Sequence, residues 1–182
     1  MKNREKTIQI VLVGVFAAVL AVLSQISIPL PSGIPVTLQT FAVALCGYAL
    51  GWKRGLLATA VYVALGLVGL PVFSGFSGGV GSMLGMAGGY IWGFLPMAAL
   101  CGAGLKAKHR PAALLFGVLG LAACHLFGTV QFAVVSGMGP LESFLVASAP
   151  YLIKDAVSVA AAYGIAAALQ HALRKNGLDL AA

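Results

Sequence analysis

The sequence predicts an all-α integral membrane protein: six transmembrane helices in a single membrane domain, 1–182, with both termini cytoplasmic. Three observations predict it. Of 182 residues, 60% are hydrophobic and 8% charged, with a mean hydropathy of +1.01. An ordinary soluble domain carries about 25% charged residues, so a water-soluble fold has no way to hide this much apolar surface. The apolar residues also fall into six spans, at 7–28, 36–50, 56–70, 88–105, 112–135 and 144–173. Finally, ten of the eleven basic residues sit on alternate connections and at the termini, the pattern expected of a polytopic membrane protein.

The first span, 7–28, is long enough at the α-helical rise for a hydrocarbon core of about 30 Å. Its basic start imitates a secretory signal, but it lacks a small-x-small cleavage site, so it reads as a retained helix. The connection Pro29-Leu-Pro-Ser-Gly-Ile-Pro35 follows. Its prolines exclude helix and favour extended or turn backbone. The spans 36–50 and 56–70 are joined by Gly51-Trp-Lys-Arg-Gly55; both are short, which points to tilt, re-entrance or local thinning of the bilayer.

Between 69 and 90 lies an uncharged stretch with eight glycines, Gly69-Leu-Pro-Val-Phe-Ser-Gly-Phe-Ser-Gly-Gly-Val-Gly-Ser-Met-Leu-Gly-Met-Ala-Gly-Gly-Tyr90. Irregular backbone between membrane helices persists only where it is buried in protein or lines a cavity. The stretch therefore reads as the lid and wall of a small-molecule pocket, the alternative being an exposed connector. Phe73, Phe76 and Tyr90 suit a solvated loop poorly. The span 88–105 ends at Lys106-Ala-Lys-His-Arg-Pro111, where Pro111 fits the first turn of the next helix. After 112–135 comes Ser136-Gly-Met-Gly-Pro-Leu-Glu-Ser143, and then the long span 144–173, which contains Pro150.

Lys2, Arg4, Lys6, Lys53, Arg54, Lys106, Lys108, Arg110, Arg174 and Lys175 share one face of the membrane if there are six crossings. The positive-inside tendency makes that face cytoplasmic. It also accounts for the net charge of +7 without a nucleic-acid partner. The three outward connections are then the proline-rich one, the glycine-rich one and the one holding Glu142.

The eleventh cation, Lys154, adjoins Asp155 inside the last span. Charge at membrane depth costs about 2.5–3.5 kcal/mol on insertion scales and normally faces a bundle interior or a wet cavity. Successive helical residues point about 100° apart, so the two side chains are expected to diverge rather than pair. Lys154 suits a carboxylate and Asp155 suits N–H donors; a structural charge pair or a snorkelling lysine is the alternative. Pro150 is expected to free a backbone carbonyl for a ligand. Gln39 and Thr37 open the second span, and Gln131 lies near the outer end of the fifth, where it is expected in the pocket. His125 lies deeper. For a lone intramembrane His or Gln, interhelical hydrogen bonding competes with ligand contact. Trp92 is read as a buried wall. Cys46, Cys101 and Cys124 are read as small buried hydrophobes.

On the first helix, Gly14-x-x-x-Ala18 and Ala17-x-x-x-Ala21 place small residues four apart. That spacing suits close helix packing, internal or against another membrane subunit. No phosphate-binding Gly-x-x-x-x-Gly-Lys-Ser/Thr loop, His-Glu-x-x-His or Gly-x-Ser-x-Gly motif occurs. With three histidines and four acidic residues, a hydrolytic site is hard to assemble, so the chain reads as a non-enzyme without a cofactor or metal.

Ser24-Gln-Ile-Ser-Ile-Pro-Leu-Pro31, Pro35-Val-Thr-Leu-Gln-Thr-Phe41, Gly69-Leu-Pro-Val-Phe-Ser-Gly-Phe-Ser-Gly-Gly-Val-Gly81 and Gly88-Gly-Tyr90 resemble the signatures of the BioY family. That family supplies the substrate-binding, or S, components of biotin transporters of the energy-coupling-factor (ECF) class. The resemblance implies six transmembrane helices in an ECF S-component-like bundle in a bacterial-type plasma membrane. It implies biotin capture on the outer side, with a transmembrane coupling subunit and two ATPase subunits as partners. Its implied substrate site comprises Lys154, Asp155, Tyr151, Gln39, Phe73, Phe76, Gly78, Gly79, Tyr90 and Gln131, and its docking face Ala17 and Ala21. Two departures stand out. Gly85-Met-Ala-Gly-Gly-Tyr90 replaces the family's Gly-Pro-Thr-Gly-Gly-Tyr, and Ser158 occupies the Lys position of Asp-x-x-Lys, with Lys154 preceding Asp155 instead. The carboxylate's partner is thus left open. An S component for another vitamin, and a solitary facilitator or channel, are the alternatives.

Overall fold

The computed structural model describes residues 2–105 and 109–175. Lys106, Lys108 and the tail from residue 176 lie outside the described residues, as do the side chains of Lys2 and Arg4. Seven α-helices are described: α1 (Lys2–Ser24), α2 (Gln39–Leu67), α3 (Val80–Leu84), α4 (Gly88–Gly104), α5 (Arg110–Ser136), α6 (Pro140–Ala147) and α7 (Leu152–Lys175). Two short strands, β1 (Ser27–Ile28) and β2 (Val36–Thr37), pair antiparallel, with Ser27 opposite Thr37 and Ile28 opposite Val36.

The hairpin shifts the second expected span, which begins at Gln39 rather than Val36. Pro35 and the β-branched pair Val36-Thr37 favour extended backbone. The Thr37 hydroxyl then accepts the Gln39 backbone N–H at 3.2 Å, closing the first turn.

Helix α2 folds back on itself at Gly51, whose φ of 78° and ψ of 172° interrupt the helical run. L-residues rarely adopt that conformation, which glycine reaches freely. The halves 39–50 and 52–67 lie side by side: Gly55 packs on the backbone of Cys46 and Gly47, and the Tyr62 hydroxyl meets the Gln39 amide. These halves correspond to the two short spans expected from the sequence. The reversal leaves carbonyls at the end of the first half without intrahelical donors. Gln170 of α7 supplies the donors, its Nε2 reaching Tyr48 O at 2.9 Å and Ala49 O at 3.1 Å. Gln170→Leu is therefore expected to leave two buried acceptors unsatisfied and to destabilise the fold by about 1–3 kcal/mol. Thermal melting in detergent checks this; an unchanged transition would show the contact to be dispensable.

The last expected span, 144–173, is not one helix. It comprises the end of α6, a 3₁₀ turn at Ala149–Tyr151 and α7. Pro150 has no N–H and cannot continue α6. In the turn the Tyr151 N–H bonds Ser148 O, and the Ala147 carbonyl accepts a hydrogen bond from the Tyr90 hydroxyl, which also meets Ser148 Oγ.

Helix α2 packs against α1, α4 and α7, and α4 packs against α5. Residues 42–50 are buried throughout, as is most of α4. The outer helices α1, α5 and α7 instead expose apolar side chains, among them Ile10, Val15, Val22, Leu126, Val130, Val134, Ile153 and Val157. Helices apolar on both their inner and outer faces suit a lipid surround. The runs Lys6–Ser24, Arg110–Ser136 and Pro140–Lys175 are each long and apolar enough to cross a membrane.

The structure corrects two expectations. Ala17 is 2% exposed and Ala21 packs against the core, whereas Gly14 and Ala18 face outward. Adjacent positions on a helix point about 100° apart, so two interleaved small-residue pairs cannot both face out. Trp92 is exposed rather than a buried wall. Cys46, Cys101 and Cys124 are free and buried.

Candidate functional site

A cavity of about 570 Å³ opens between the hairpin connection, the glycine-rich connection and helices α2, α4, α5 and α7. Its wall is largely apolar, formed by Ile34, Phe73, Met86, Tyr90, Ile91, Phe94 and Tyr151. Polar side chains converge on one region: Thr37, Gln39, Thr40, His125, Lys154 and Asp155. A mostly apolar cavity of this size with a few converging polar groups is the usual form of a small-molecule site.

Lys154 and Asp155 do not diverge. The Lys154 ammonium bends back to contact Asp155 Oδ1 and also donates to Thr37 O at 2.9 Å. The expectation of diverging chains neglected the length of the lysine stem, which lets Nζ return to a neighbour's carboxylate. The Lys154 side chain keeps 31% of its exposure, while that of Asp155 is buried. On its other oxygen Asp155 meets His125 Nε2 at 3.3 Å. The cluster is thus a chain of Lys154, Asp155 and His125, bringing together α5 and α7. The Tyr90 ring stands edge-on to the His125 ring, with centroids 5.7 Å apart.

Gln39 belongs to a second chain. Its Nε2 donates to the Tyr62 hydroxyl at 2.9 Å, its Oε1 accepts from Thr37 Oγ1 at 3.0 Å, and Tyr62 in turn meets Ser24 Oγ at 2.8 Å. These bonds fix the amide plane, leaving one N–H and one lone pair for other partners. Tyr151 donates to Ile34 O at 2.6 Å and lies 3.1 Å from Ser32 Oγ. Together with the Lys154 bond to Thr37 O, this ties the hairpin connection to the start of α7.

The glycine-rich connection is stitched down more than it is open. Phe73 is buried, lines the cavity, and stands edge-on to Tyr62 at 5.4 Å between centroids. Its ring lies on Gly66, where a Cβ would fall inside the ring. Gln25 holds the loop to α1: its Nε2 donates to Val72 O and its Oε1 accepts the Phe76 N–H.

Four of the sequence-predicted site residues do not line the cavity. Phe76 is 71% exposed, because its positive φ of 56° turns the side chain outward. Gly78 packs on the Leu70 carbonyl, and Gly79 donates to Gly66 O, so both close the loop against α2. Gln131 donates to Met83 O and Gly85 O, which ties the end of α3 to α5. Lys154, Asp155, Tyr151, Gln39, Phe73 and Tyr90 do line it. His125 was placed deeper by the sequence and left out of the site. The signal that would have found it is its position as an ionisable residue inside an apolar span. Among the described residues no group of three or more His, Cys, Asp or Glu is arranged to hold a metal ion.

Comparison with known proteins agrees with this architecture. The model of the BioY family matches residues 1–175. A probable biotin transporter BioY of Pyrococcus horikoshii is 38% identical over 165 residues, 91% of this chain and 98% of that one. A biotin transporter BioY of Thermotoga maritima is 44% identical over 121 residues, 66% of this chain and 71% of that one. The crystal structure of the S-component for biotin from an ECF-type ABC transporter superposes with a TM-score of 0.86 at 26% identity, covering 94% of this chain and 95% of that one. With a family model matched over nearly its whole length, and a 38% identical relative covered almost end to end, this membrane protein belongs to the BioY family.

Proposed function

We propose that the chain captures biotin at the outer face of a bacterial-type plasma membrane, as the S component of an ECF transporter. A transmembrane coupling subunit and two ATPases would supply the energy. The observation that carries this reading is the cavity itself: apolar and aromatic walls close on one charged cluster of Lys154 and Asp155. Biotin has a flat ureido ring, an apolar thioether ring and a valerate carboxylate. Phe73, Tyr90 and Phe94 suit the rings by packing. Lys154, the more exposed of the pair, suits the carboxylate as a compact point charge. The relatives named as biotin transporters, and the S component that shares the fold, support the same reading.

In this reading the chain is one multi-pass domain of six crossings with cytoplasmic termini. The packing supports the assignment: the Gly51 reversal lies against Gly102, Gly104 lies against Ala113, and Gln170 reaches Tyr48 and Ala49. One end of the bundle thereby gathers the connections that carry Lys53, Arg54 and Arg110. The outward small residues Gly14 and Ala18, rather than Ala17, would face the coupling subunit.

Labelled biotin binding to the detergent-purified chain tests the function. Saturable binding is expected, displaced by unlabelled biotin and not by other vitamins. Displacement by a different vitamin would reassign the ligand. Rapid biotin flux into vesicles holding this chain alone would favour a solitary facilitator.

A further inference from the structure

The Lys154–Asp155–His125 chain has one loose end. His125 is 5% exposed and lines the cavity; its Nε2 is engaged by Asp155, yet its Nδ1 has no hydrogen-bond partner in the protein. A buried polar atom without a partner is uncommon and calls for a role. Which proton an imidazole carries is set by the bond made at its other nitrogen. The Asp155 carboxylate, in contact with the Lys154 ammonium, accepts at Nε2 and so places the proton there. Lys154 already balances that carboxylate, so a second cation on the ring would be an uncompensated buried charge. The other ionisable groups that line the cavity here are hydrogen-bonded elsewhere: Tyr90 turns its hydroxyl to Ala147 O and Ser148, Tyr151 donates to Ile34 O, and the Cys124 thiol reaches Tyr90 O. A neutral ring with its proton on Nε2 presents a lone pair at Nδ1.

We propose that Nδ1 of His125 accepts one ureido N–H of the captured ligand, making His125 a specificity-determining residue for a cyclic urea with a free N–H. This rests on the biotin reading above. It orients the ligand, setting the ureido ring against α5 and α7 in the interior and leaving the carboxylate to the more exposed Lys154. It also sets selectivity: a ligand with no N–H at that point leaves Nδ1 unsatisfied.

The test pairs changes on protein and ligand. Biotin binding to the unaltered protein is measured first; no binding there defeats the biotin reading and this assignment with it, whereas the steps that follow can defeat the assignment alone. Given binding, the two biotins methylated at one or the other ureido nitrogen are titrated against the unaltered protein and His125→Phe. One methyl isomer is expected to bind the unaltered protein about five- to tenfold more weakly than biotin, the effect of one hydrogen bond. For His125→Phe, the penalty for that isomer is expected to vanish while the other isomer's is kept. Losses that simply multiply for both isomers overturn the contact. Nitrogen-15 NMR of histidine-labelled, biotin-loaded protein covers the case in which His125→Phe does not fold. A neutral ring protonated on Nε2 is expected, and an imidazolium, or a proton on Nδ1, overturns the proposal.

Discussion

Asp155→Asn and Lys154→Met are each expected to weaken biotin binding by about a hundredfold or more. Either change removes one partner of an ion pair held inside the bundle, leaving the other charge unbalanced. Breaking a buried pair from one side costs about 3–5 kcal/mol, and each 1.4 kcal/mol is about a factor of ten in affinity. Part of the penalty falls on folding, so melting temperature and dissociation constant are read together. Asp155→Asn strands the Lys154 cation and weakens the acceptor facing His125 Nε2. Lys154→Met leaves the Asp155 carboxylate without its cation, held by His125 and the Thr40 hydroxyl. The double variant Lys154→Met/Asp155→Leu, which removes both charges, is expected to recover most of the melting temperature and none of the biotin affinity. If the two single variants bind biotin within twofold of the unaltered protein, the cluster is structural and the ligand lies elsewhere.

Gly66→Ala is expected to cost the protein both stability and ligand. The added Cβ would occupy the Phe73 ring, and that ring is a buried wall of the cavity that also braces Tyr62. Overpacking of this kind typically costs about 1–3 kcal/mol. The ring cannot yield far, because the Phe73 N–H is bonded to Ser77 O and Gln25 holds Val72 and Phe76 on either side. A lowered melting temperature and a loss of biotin affinity of about tenfold or more are expected. Adding Phe73→Leu to Gly66→Ala makes room for the methyl and is expected to restore the melting temperature while the affinity stays low. Phe76→Asn serves as the contrast. Phe76 points away from the cavity at a positive φ that Asn accepts readily, so binding within twofold of the unaltered protein is expected. Equal losses for Gly66→Ala and Phe76→Asn would show that the loop acts as a whole, not through Phe73.

Much of this was legible in the chain. Hydropathy alone dictated helices with apolar outer faces, since a composition with so few charges has no soluble solution. The prolines at 29–35 and the glycines at 69–90 marked where helix must stop, because backbone constraints act locally and leave a local trace. A cation and a carboxylate inside an apolar span pointed to the cavity they line, because the bilayer penalises charge wherever it lies.

Contacts between distant segments left no such trace. Nothing near Lys154 in the sequence reveals that its stem bends back to Asp155 and reaches Thr37, or that His125 completes the chain from another helix. Likewise Gly78, Gly79 and Gln131 looked like pocket lining, yet their groups go to Leu70, Gly66, Met83 and Gly85. A polar or glycine residue next to a cavity carries the same letter whether it faces the ligand or fastens the wall. What the residues declare one at a time is the helical, apolar character of the chain and the one span that bears charge, because propensity and solvation act residue by residue. Helix ends such as the start at Gln39 and the break at Ala149–Tyr151 followed from contacts. Which polar atoms are already satisfied and which, like Nδ1 of His125, lack a partner in the protein emerges from the packed fold, because hydrogen bonds are filled by whatever comes within reach.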